Sequence, residues 1–269
     1  MKNKIVLLFV SFCFFLMNCE IEKEIEYPIR YQEKKLFITG FIGPVNALEM
    51  EVGQVVPPLE NDYDPLKEVR AELFRNNVSM GGIQNADDNF LYHNTGYQAI
   101  AGDTFYIEVS AEGIESARSN FQVIPRSVKL DSVSHFISMD NEIKVFIYFT
   151  DPPDNNYYSL LIKKYHTTGS ISGFDQYIDL SNAFIDKEFN GTSHRIIHDI
   201  QRNYDDPIER IDVFLITTTK EVYNFYKSVW DFEGYNSDIF VQPVIIESNI
   251  QNGEGIFGAY NFDMLSIEF

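Results

Sequence analysis

Hydrophobic and polar residues alternate along most of the chain from about Lys35 onward, and this period of two is typical of β-strands. In the stretch TFYIEVSA, Phe105, Ile107 and Val109 fall on one face of such a strand, and Tyr, Glu and Ser fall on the other. The stretches KLFITGFI and AELFRN predict two further strands. Turn-forming clusters such as DPPDNN separate the segments, so the pattern predicts the many short strands of β-sandwiches.

Two segments are apolar or aromatic at nearly every position instead. They are KVFIYF, over 144–149, and DVFLITT, over 212–218. A continuous apolar run of this length is typical of a strand that is covered on both faces. We therefore expect both segments to lie in the interior of the protein.

One segment, TTKEVYNFYKSVWDF, has the 3.6-residue period of an amphipathic helix. Its apolar residues at that spacing are Val222, Phe225, Tyr226, Val229 and Trp230. Thr218 and Glu221 have the spacing of a capping box. We predict a helix over about 219–231, whose aromatic stripe covers the open face of a sheet and is not a ligand site.

The fold class predicted from these patterns is mainly β. A boundary is expected near Ile124–Pro125, because the segment before it has the length of a small sandwich and the stretch SVKLDSV after it starts a new strand. The predicted organisation is an N-terminal Ig-like or fibronectin-like β-sandwich over 34–125. A second β-sandwich over 126–269 carries the single helix.

The net charge is strongly negative, −19 for the whole chain. A surface of this charge repels phosphate backbones, so we expect no nucleic-acid partner. A strongly negative surface also keeps a protein soluble, and solubility alone is a sufficient explanation of the net charge.

The first eighteen residues have the layout of a secretory signal. Lys2 and Lys4 precede an uncharged run from Ile5 to Met17, which is too short to span a bilayer as a helix. The sequence LMNC then places Cys19 where cleavage is expected, and this resembles a bacterial lipobox. We predict a signal peptide over 1–18 and lipid attachment at Cys19, since the thiol is the nucleophile that accepts the lipid. The alternative is an ordinary signal peptide with incidental cysteines.

An acidic stretch, EIEKEIE, follows Cys19 directly. It resembles the export signal that directs Bacteroidota lipoproteins to the outer face of the outer membrane. Residues 19–33 are therefore predicted to be an acidic tether, and the expected location is the outer membrane, lipid-anchored and facing the cell exterior. The other cysteine is Cys13, inside the predicted signal, so no disulfide framework and no C-x-x-C metal site is expected.

The strongest motif for a cofactor is G-x-G-x-x-G, formed by Gly253, Gly255 and Gly258. In dinucleotide-binding proteins this motif opens a helix inside a βαβ unit, with an acidic residue about twenty positions later. Eleven residues follow Gly258, and they alternate as a strand does. We therefore predict a glycine-rich turn or bulge before a terminal strand, and no cofactor.

Other candidates for chemistry are weak. His194 and His198 are four residues apart but lack the H-E-x-x-H pattern, and GSISG over 169–173 has Ile171 where a hydrolase elbow has serine. The acidic clusters over 62–64 and 87–89 follow no EF-hand spacing. We expect no catalytic, cofactor-binding or metal residues, and we expect that the chain is not an enzyme.

Four stretches together carry a family resemblance. They are FTDPPDNNYYSLLI, IDKEFNG, TTKEVYNFYKSV and VQPVIIESNIQNGEGIFGAY, over 149–162, 185–191, 218–229 and 241–260. In this order, behind a lipobox, they resemble the domain-of-unknown-function 4249 family of Bacteroidota lipoproteins. The N-terminal stretch NTGYQAIAGDTFYIEV is similar to the turn and strand of Ig-like surface domains. The resemblance implies a surface lipoprotein of two β-rich parts, often encoded near a TonB-dependent outer-membrane transporter, and it implies no catalytic residues.

The expected function is thus a non-enzymatic, lipid-anchored surface protein that captures a ligand for, or docks onto, a TonB-dependent transporter in nutrient uptake. A glycan or peptide is the expected ligand, and Tyr92, Tyr97 and Tyr235 are candidates to stack on it. One alternative is a structural accessory subunit of an outer-membrane assembly. A lesser alternative is a hydrolase that uses carboxylates or a calcium loop.

Overall fold

The computed structural model describes residues 34–44, 48–56, 66–85, 91–94, 97–139, 142–172, 180–202, 205–235 and 244–269. These residues form a mainly β protein with eighteen strands and one helix in the described ranges. The fold-class prediction of a β-sandwich architecture with one helix is confirmed. Strands are numbered in chain order.

The largest sheet has nine strands, in the order β13-β12-β16-β18-β1-β2-β6-β5, with β14 also paired to β12. They are β1 (Leu36–Ile42), β2 (Leu48–Gln54), β5 (Gln84–Asn85), β6 (Leu91–Asn94), β12 (Tyr157–His166), β13 (Ile171–Ser172), β14 (Phe184–Ile185), β16 (Ile208–Thr218) and β18 (Gly253–Glu268).

Two smaller sheets complete the β structure. The six-stranded sheet contains β3 (Arg70–Arg75), β4 (Val78–Gly82), β7 (Thr104–Ala111), β8 (Ile114–Ser119), β9 (Gln122–Val123) and β17 (Ile250–Gln251). The three-stranded sheet contains β10 (Leu130–Ile137), β11 (Glu142–Thr150) and β15 (Ser193–Gln201), in the order β10-β11-β15.

The long strand β18 connects the two halves of the nine-stranded sheet. Its first part pairs in parallel with β1, and its second part pairs antiparallel with β16. On one face of β18, Phe257 packs into a core shared with the six-stranded sheet, and Leu265 packs into a core shared with the three-stranded sheet. One large sheet therefore forms a layer of both sandwiches. Glu33–Phe269 forms one compact unit, and the boundary at 125/126 stays a prediction.

The helix α1 (Lys220–Tyr235) covers the opposite face of the same sheet. Val222 and Phe225 are buried against Ile256 of β18, as the aromatic stripe predicted. Trp230, at the end of that stripe, remains 45% exposed.

The predicted capping box at the start of α1 is wrong. The Thr218 hydroxyl donates to the Ala259 carbonyl at 3.2 Å, because Thr218 still belongs to β16. The helix begins two residues later, at Lys220, and the Tyr223 amide donates to the carbonyl of the preceding residue, Thr219, at 3.3 Å.

The two apolar runs have different environments. In β16 the run DVFLITT is covered on one face by the three-stranded sheet and on the other by α1, as predicted. In β11 the prediction that both faces are covered is wrong, since Val145, Ile147 and Phe149 are buried but Phe146 and Tyr148 point outward and are partly exposed. The outer face of the three-stranded sheet thus carries partly exposed apolar side chains.

Candidate functional site

Several of the predicted site residues lie outside the described residues. These are Cys19, the tether over 19–33, and the acidic clusters over 62–64 and 87–89. Tyr92 lies in β6 and Tyr235 ends α1, but their side chains also fall outside the described part. Lipid attachment at Cys19 stays a prediction.

The third candidate aromatic, Tyr97, is held by a buried carboxylate. Its hydroxyl donates to Asp103 Oδ2 at 2.5 Å, while Arg75 donates to Oδ1 at 2.8 Å and lies 4.7 Å above the Tyr97 ring. Burial and the bond to the carboxylate raise the pKa of Tyr97 to about 12. Burial alone would raise the pKa of Asp103, but the hydrogen bonds from Tyr97, Arg75 and the Ile100 amide lower it. Tyr97 therefore stabilises a loop and does not offer a free stacking face.

The histidine pair does not form a metal site. His194 and His198 both lie in β15, where a separation of four residues corresponds to about 13 Å. His194 stacks on Phe189 with 3.9 Å between the ring centres, and burial lowers its pKa. Among the described residues, no three His, Cys, Asp or Glu side chains lie together in a way that could hold a metal ion.

The three glycines lie inside β18 and not in a turn before it, so the predicted turn was placed too late in the chain. The turn is at Asn252, and the glycines permit close packing. A Cβ on Gly258 would lie 2.1 Å from a methyl group of Val222 in α1. Gly255 has a φ of +112°, and a Cβ there would lie 2.0 Å from the Ile38 carbonyl oxygen. Dinucleotide binding is not the reason for this motif.

Asn249 stabilises the first part of β18. Its side-chain amide donates to the Phe257 carbonyl at 2.7 Å and accepts from the Phe257 amide at 2.9 Å. Both residues are buried. The side chain therefore replaces a strand partner at this position.

The DPPDNN turn and the IDKEFNG segment meet around Tyr158. Its hydroxyl donates to Asp151, which also accepts the Gly191 amide at 2.8 Å. Asp186 is fully buried and accepts the Asn156 amide at 2.6 Å. Two of the segments that carry the family resemblance thus form one buried network that fixes the passage from β11 to β12.

A groove lies on the outer face of the six-stranded sheet and has a volume of about 530 Å³. Its polar walls come from Arg70 and Glu72 on β3, Glu108 and Ser110 on β7, and Ser116 on β8. Arg70 and Glu72 lie directly opposite Ser110 and Glu108. Glu108 lies opposite Arg118, two residues after Ser116, so the five groove residues share one face. The groove therefore offers both donors and acceptors to a polar ligand.

An aromatic cluster continues the same face. Phe74 and Tyr106 stack with 4.5 Å between ring centres, and Phe121 packs edge-on against Tyr106 at 5.1 Å. Arg118 lies 4.1 Å above the Tyr106 ring and 3.8 Å from Glu108, so it connects the cluster to the groove. Phe121 remains 51% exposed, while Tyr106 is buried beneath its neighbours. We call the groove and this cluster together the outer binding face.

Sequence analysis did not select the outer binding face. A signal was present, because the alternation that placed Phe105 inward also placed Tyr106 and Glu108 together on the opposite side. The contribution of Arg118 depends on the pairing of β7 with β8. That pairing cannot be deduced from one strand alone.

Comparison with known proteins identifies the family of the chain. Residues 22–266 match the family model described as a domain of unknown function, DUF4249. The chain belongs to the DUF4249 family. No curated protein matches the chain. Within the described residues, no helix has both the length and the apolar character needed to cross a membrane.

Proposed function

We propose that this DUF4249 protein is a lipid-anchored protein of the outer membrane, exposed at the cell surface, that captures a glycan or peptide for a TonB-dependent transporter. The observation that carries the proposal is the outer binding face. Its groove of about 530 Å³ lies within the range of small-molecule sites and adjoins exposed aromatic surface. Capture of a ligand requires binding at this face and no residue that makes or breaks covalent bonds.

The chemistry of the face favours a ligand that is polar at its edge and apolar on one side. The exposed Phe121 ring provides a stacking surface. Glu108 and Arg118 provide an acceptor and a charged donor beside it. Sugars and peptides both combine these properties.

Anchoring is tested by replacing each cysteine in turn. Cys19→Ala should abolish incorporation of labelled palmitate and release the protein from the membrane fraction, whereas Cys13→Ala should leave both unchanged. Equal behaviour of the two variants would contradict the predicted anchor. Labelling of intact cells with an impermeant reagent tests exposure, and protection until lysis would exclude a surface location.

Capture is tested by calorimetric titration with a panel of oligosaccharides and short peptides. Phe121→Ala and Arg118→Ala should each weaken the affinity of a ligand found in this panel by roughly tenfold or more, as for aromatic and arginine hot spots. Phe136→Ala is the matched control and should leave the affinity unchanged. Phe136 is similarly exposed, but it belongs to the three-stranded sheet and not to the six-stranded sheet. A loss in the control equal to that in Phe121→Ala would rule out the outer binding face.

The structural-subunit alternative is favoured by a different observation. The outer face of the three-stranded sheet presents Phe136, 58% exposed, and Ile197, 47% exposed, and Phe146 pairs with Ile197 across β11 and β15. Exposed apolar surface of this kind is typical of protein contacts. Ile197→Ser should then release an outer-membrane partner that co-purifies in mild detergent, while Phe121→Ala should retain it.

A further inference from the structure

The end of strand β12 carries a polar cluster that lies outside the outer binding face. β12 ends at His166, and a short turn leads into β13, which ends at Ser172. The His166 amide donates to the Ser170 carbonyl at 2.9 Å, so the turn is closed by the backbone. Lys164 is the direct cross-strand partner of Ser172. Because directly opposed residues and residues two apart share a face, Lys164, His166 and Ser172 project from the same side of the hairpin.

The hydrogen bonds of His166 define its tautomer. Nδ1 lies 3.0 Å from the backbone carbonyl oxygen of Asp206, and Nε2 lies 2.7 Å from Ser172 Oγ. A carbonyl oxygen can only accept, so Nδ1 carries the hydrogen in the neutral ring. Nε2 is then the acceptor, and the Ser172 hydroxyl donates to it. This is the arrangement by which a histidine removes a proton from a serine nucleophile.

The carboxylate of Asp206 completes the arrangement. Its Oδ2 lies 3.4 Å from His166 Nδ1, and its oxygens accept from Thr168 at 2.7 Å and from Ser170 at 3.0 Å. The hydrogen bond from Thr168, with smaller contributions from Ser170 and from the charge of His166, lowers the pKa of Asp206. An ionised carboxylate at this position stabilises the imidazolium that forms when His166 accepts a proton.

The simpler explanation is a polar cluster that only closes the hairpin. Thr168 and Ser170 already tie the turn to Asp206 without Ser172. The His166 imidazole is 12% exposed, and Ser172 is half-buried. Lys164 lies directly opposite Ser172 in the hairpin, so its positive charge is on the same side of the sheet as the serine. A cation on that side favours an oxyanion formed by attack of Ser172.

We propose that Ser172 is a nucleophile that His166 activates as general base, with Asp206 as the positioning residue, and that the substrates are carboxylic esters. Ser172 Oγ attacks the carbonyl carbon, and its proton passes to His166 Nε2. The alkoxide leaves as the C–O bond breaks and takes that proton, which forms an alcohol and acyl-Ser172. Water, deprotonated by His166, then releases the acid and restores Ser172. The sum is ester plus water giving acid plus alcohol.

The test is labelling of the full chain with an alkyl fluorophosphonate, followed by peptide mapping. In the labelling step the Ser172 Oγ–P bond forms, the P–F bond breaks, and the hydroxyl proton passes to His166. One label per chain should map to Ser172. Ser172→Ala should lose it, and His166→Asn should slow it by about 100-fold or more. Ser134→Ala, an exposed serine on β10 outside the cluster, is the matched control and should label within about threefold of the unchanged protein.

The positioning role of Asp206 has its own readout. Asp206→Asn should slow labelling of Ser172 while its denaturation midpoint stays near that of Ser170→Ala, which removes one hydrogen bond to Asp206. Asp206→Glu should recover part of the rate. Hydrolysis of p-nitrophenyl acetate by the same variants should follow the same order.

Three results would overturn the proposal. They are the absence of label on the unchanged protein, a label that maps elsewhere than Ser172, and labelling of Ser172 that is undiminished in His166→Asn. The first two results are measured on the unchanged protein. The proposal can therefore be tested even if one of the variants fails to fold. A positive result would correct the expectation that the chain is not an enzyme and would leave capture at the outer binding face unaffected.

Discussion

The hydroxyl of Tyr158 donates a hydrogen bond to the carboxylate of Asp151, and both side chains are buried. Asp151 directly follows β11 and Tyr158 is the second residue of β12, so this bond spans the turn that carries the chain from the three-stranded sheet to the nine-stranded sheet. Burial and the nearby carboxylates raise the pKa of Tyr158. The phenol therefore stays protonated and remains a donor.

Tyr158→Phe should lower the free energy of unfolding by about 1–3 kcal/mol, because Asp151 Oδ1 would lose its buried donor. Urea denaturation followed by circular dichroism measures the difference. Tyr157→Phe, at the adjacent and partly exposed position, is the control and should stay within about 0.5 kcal/mol. Equal losses in the two variants would show that the hydrogen bond to Asp151 does not account for the loss of stability in Tyr158→Phe.

The raised pKa of Tyr97 predicts that the protein loses stability at alkaline pH. Its pKa is raised to about 12 in the folded protein, against about 10 in an unfolded chain. Its contribution to stability is therefore complete below about pH 10 and is lost as the pH rises toward about 12. Tyr97→Phe should be less stable than the unchanged protein at pH 7, and the gap should narrow by pH 11. Urea midpoints across this range measure it, and a constant or widening gap would contradict the assignment.

Gly258→Ala should lower the free energy of unfolding by about 1–3 kcal/mol, since the added Cβ would overlap the Val222 methyl group. Gly53→Ala in β2 is the matched control, because a Cβ there meets nothing within 4 Å. Adding Val222→Ala to Gly258→Ala should yield a loss smaller than the sum of the two single losses. Strict additivity would argue against the contact.

Asn249→Ala should destabilise the protein by about 1–3 kcal/mol or more, because it leaves the amide and the carbonyl of Phe257 buried without partners. Asn252→Gly is the control. Asn252 is exposed and has a φ of +56°, which glycine adopts without strain, so little change is expected. Thermal unfolding of both variants separates the two outcomes.

Local patterns predicted the strands well where a strand has one inner face. The alternation of Phe105, Ile107 and Val109 predicted that they are buried, and each is at most 1% exposed. A period of two places them on one face whatever the partner strand is. The different prediction made from the continuous apolar run of β11, that both of its faces are covered, was wrong. Phe146 and Tyr148 have aromatic side chains of the kind found in a core. They remain partly exposed because, among the described residues, no layer packs on the outer face of the three-stranded sheet.

The candidate sites depend on long-range pairing, which one sequence does not contain. Ser172 and His166 are close in sequence, but Asp206 reaches them only because β16 pairs beside β12. A hydrolase elbow requires serine at the centre of GSISG, where Ile171 stands, whereas the serine that contacts histidine is the next residue. Likewise Arg118 joins the outer binding face through the pairing of β8 with β7.

The parallel pairing of β1 with β18 has a consequence for the order in which the protein is made. Leu36 pairs with Gly253, and at roughly 5–20 residues per second the ribosome completes β18 on the order of ten to forty seconds after β1. Until then β1 has an open backbone edge of the kind that recruits other chains. A translation stop before β18 would leave both β1 and β16 without this neighbour, so neither sandwich can complete the sheet that they share until β18 has been synthesised.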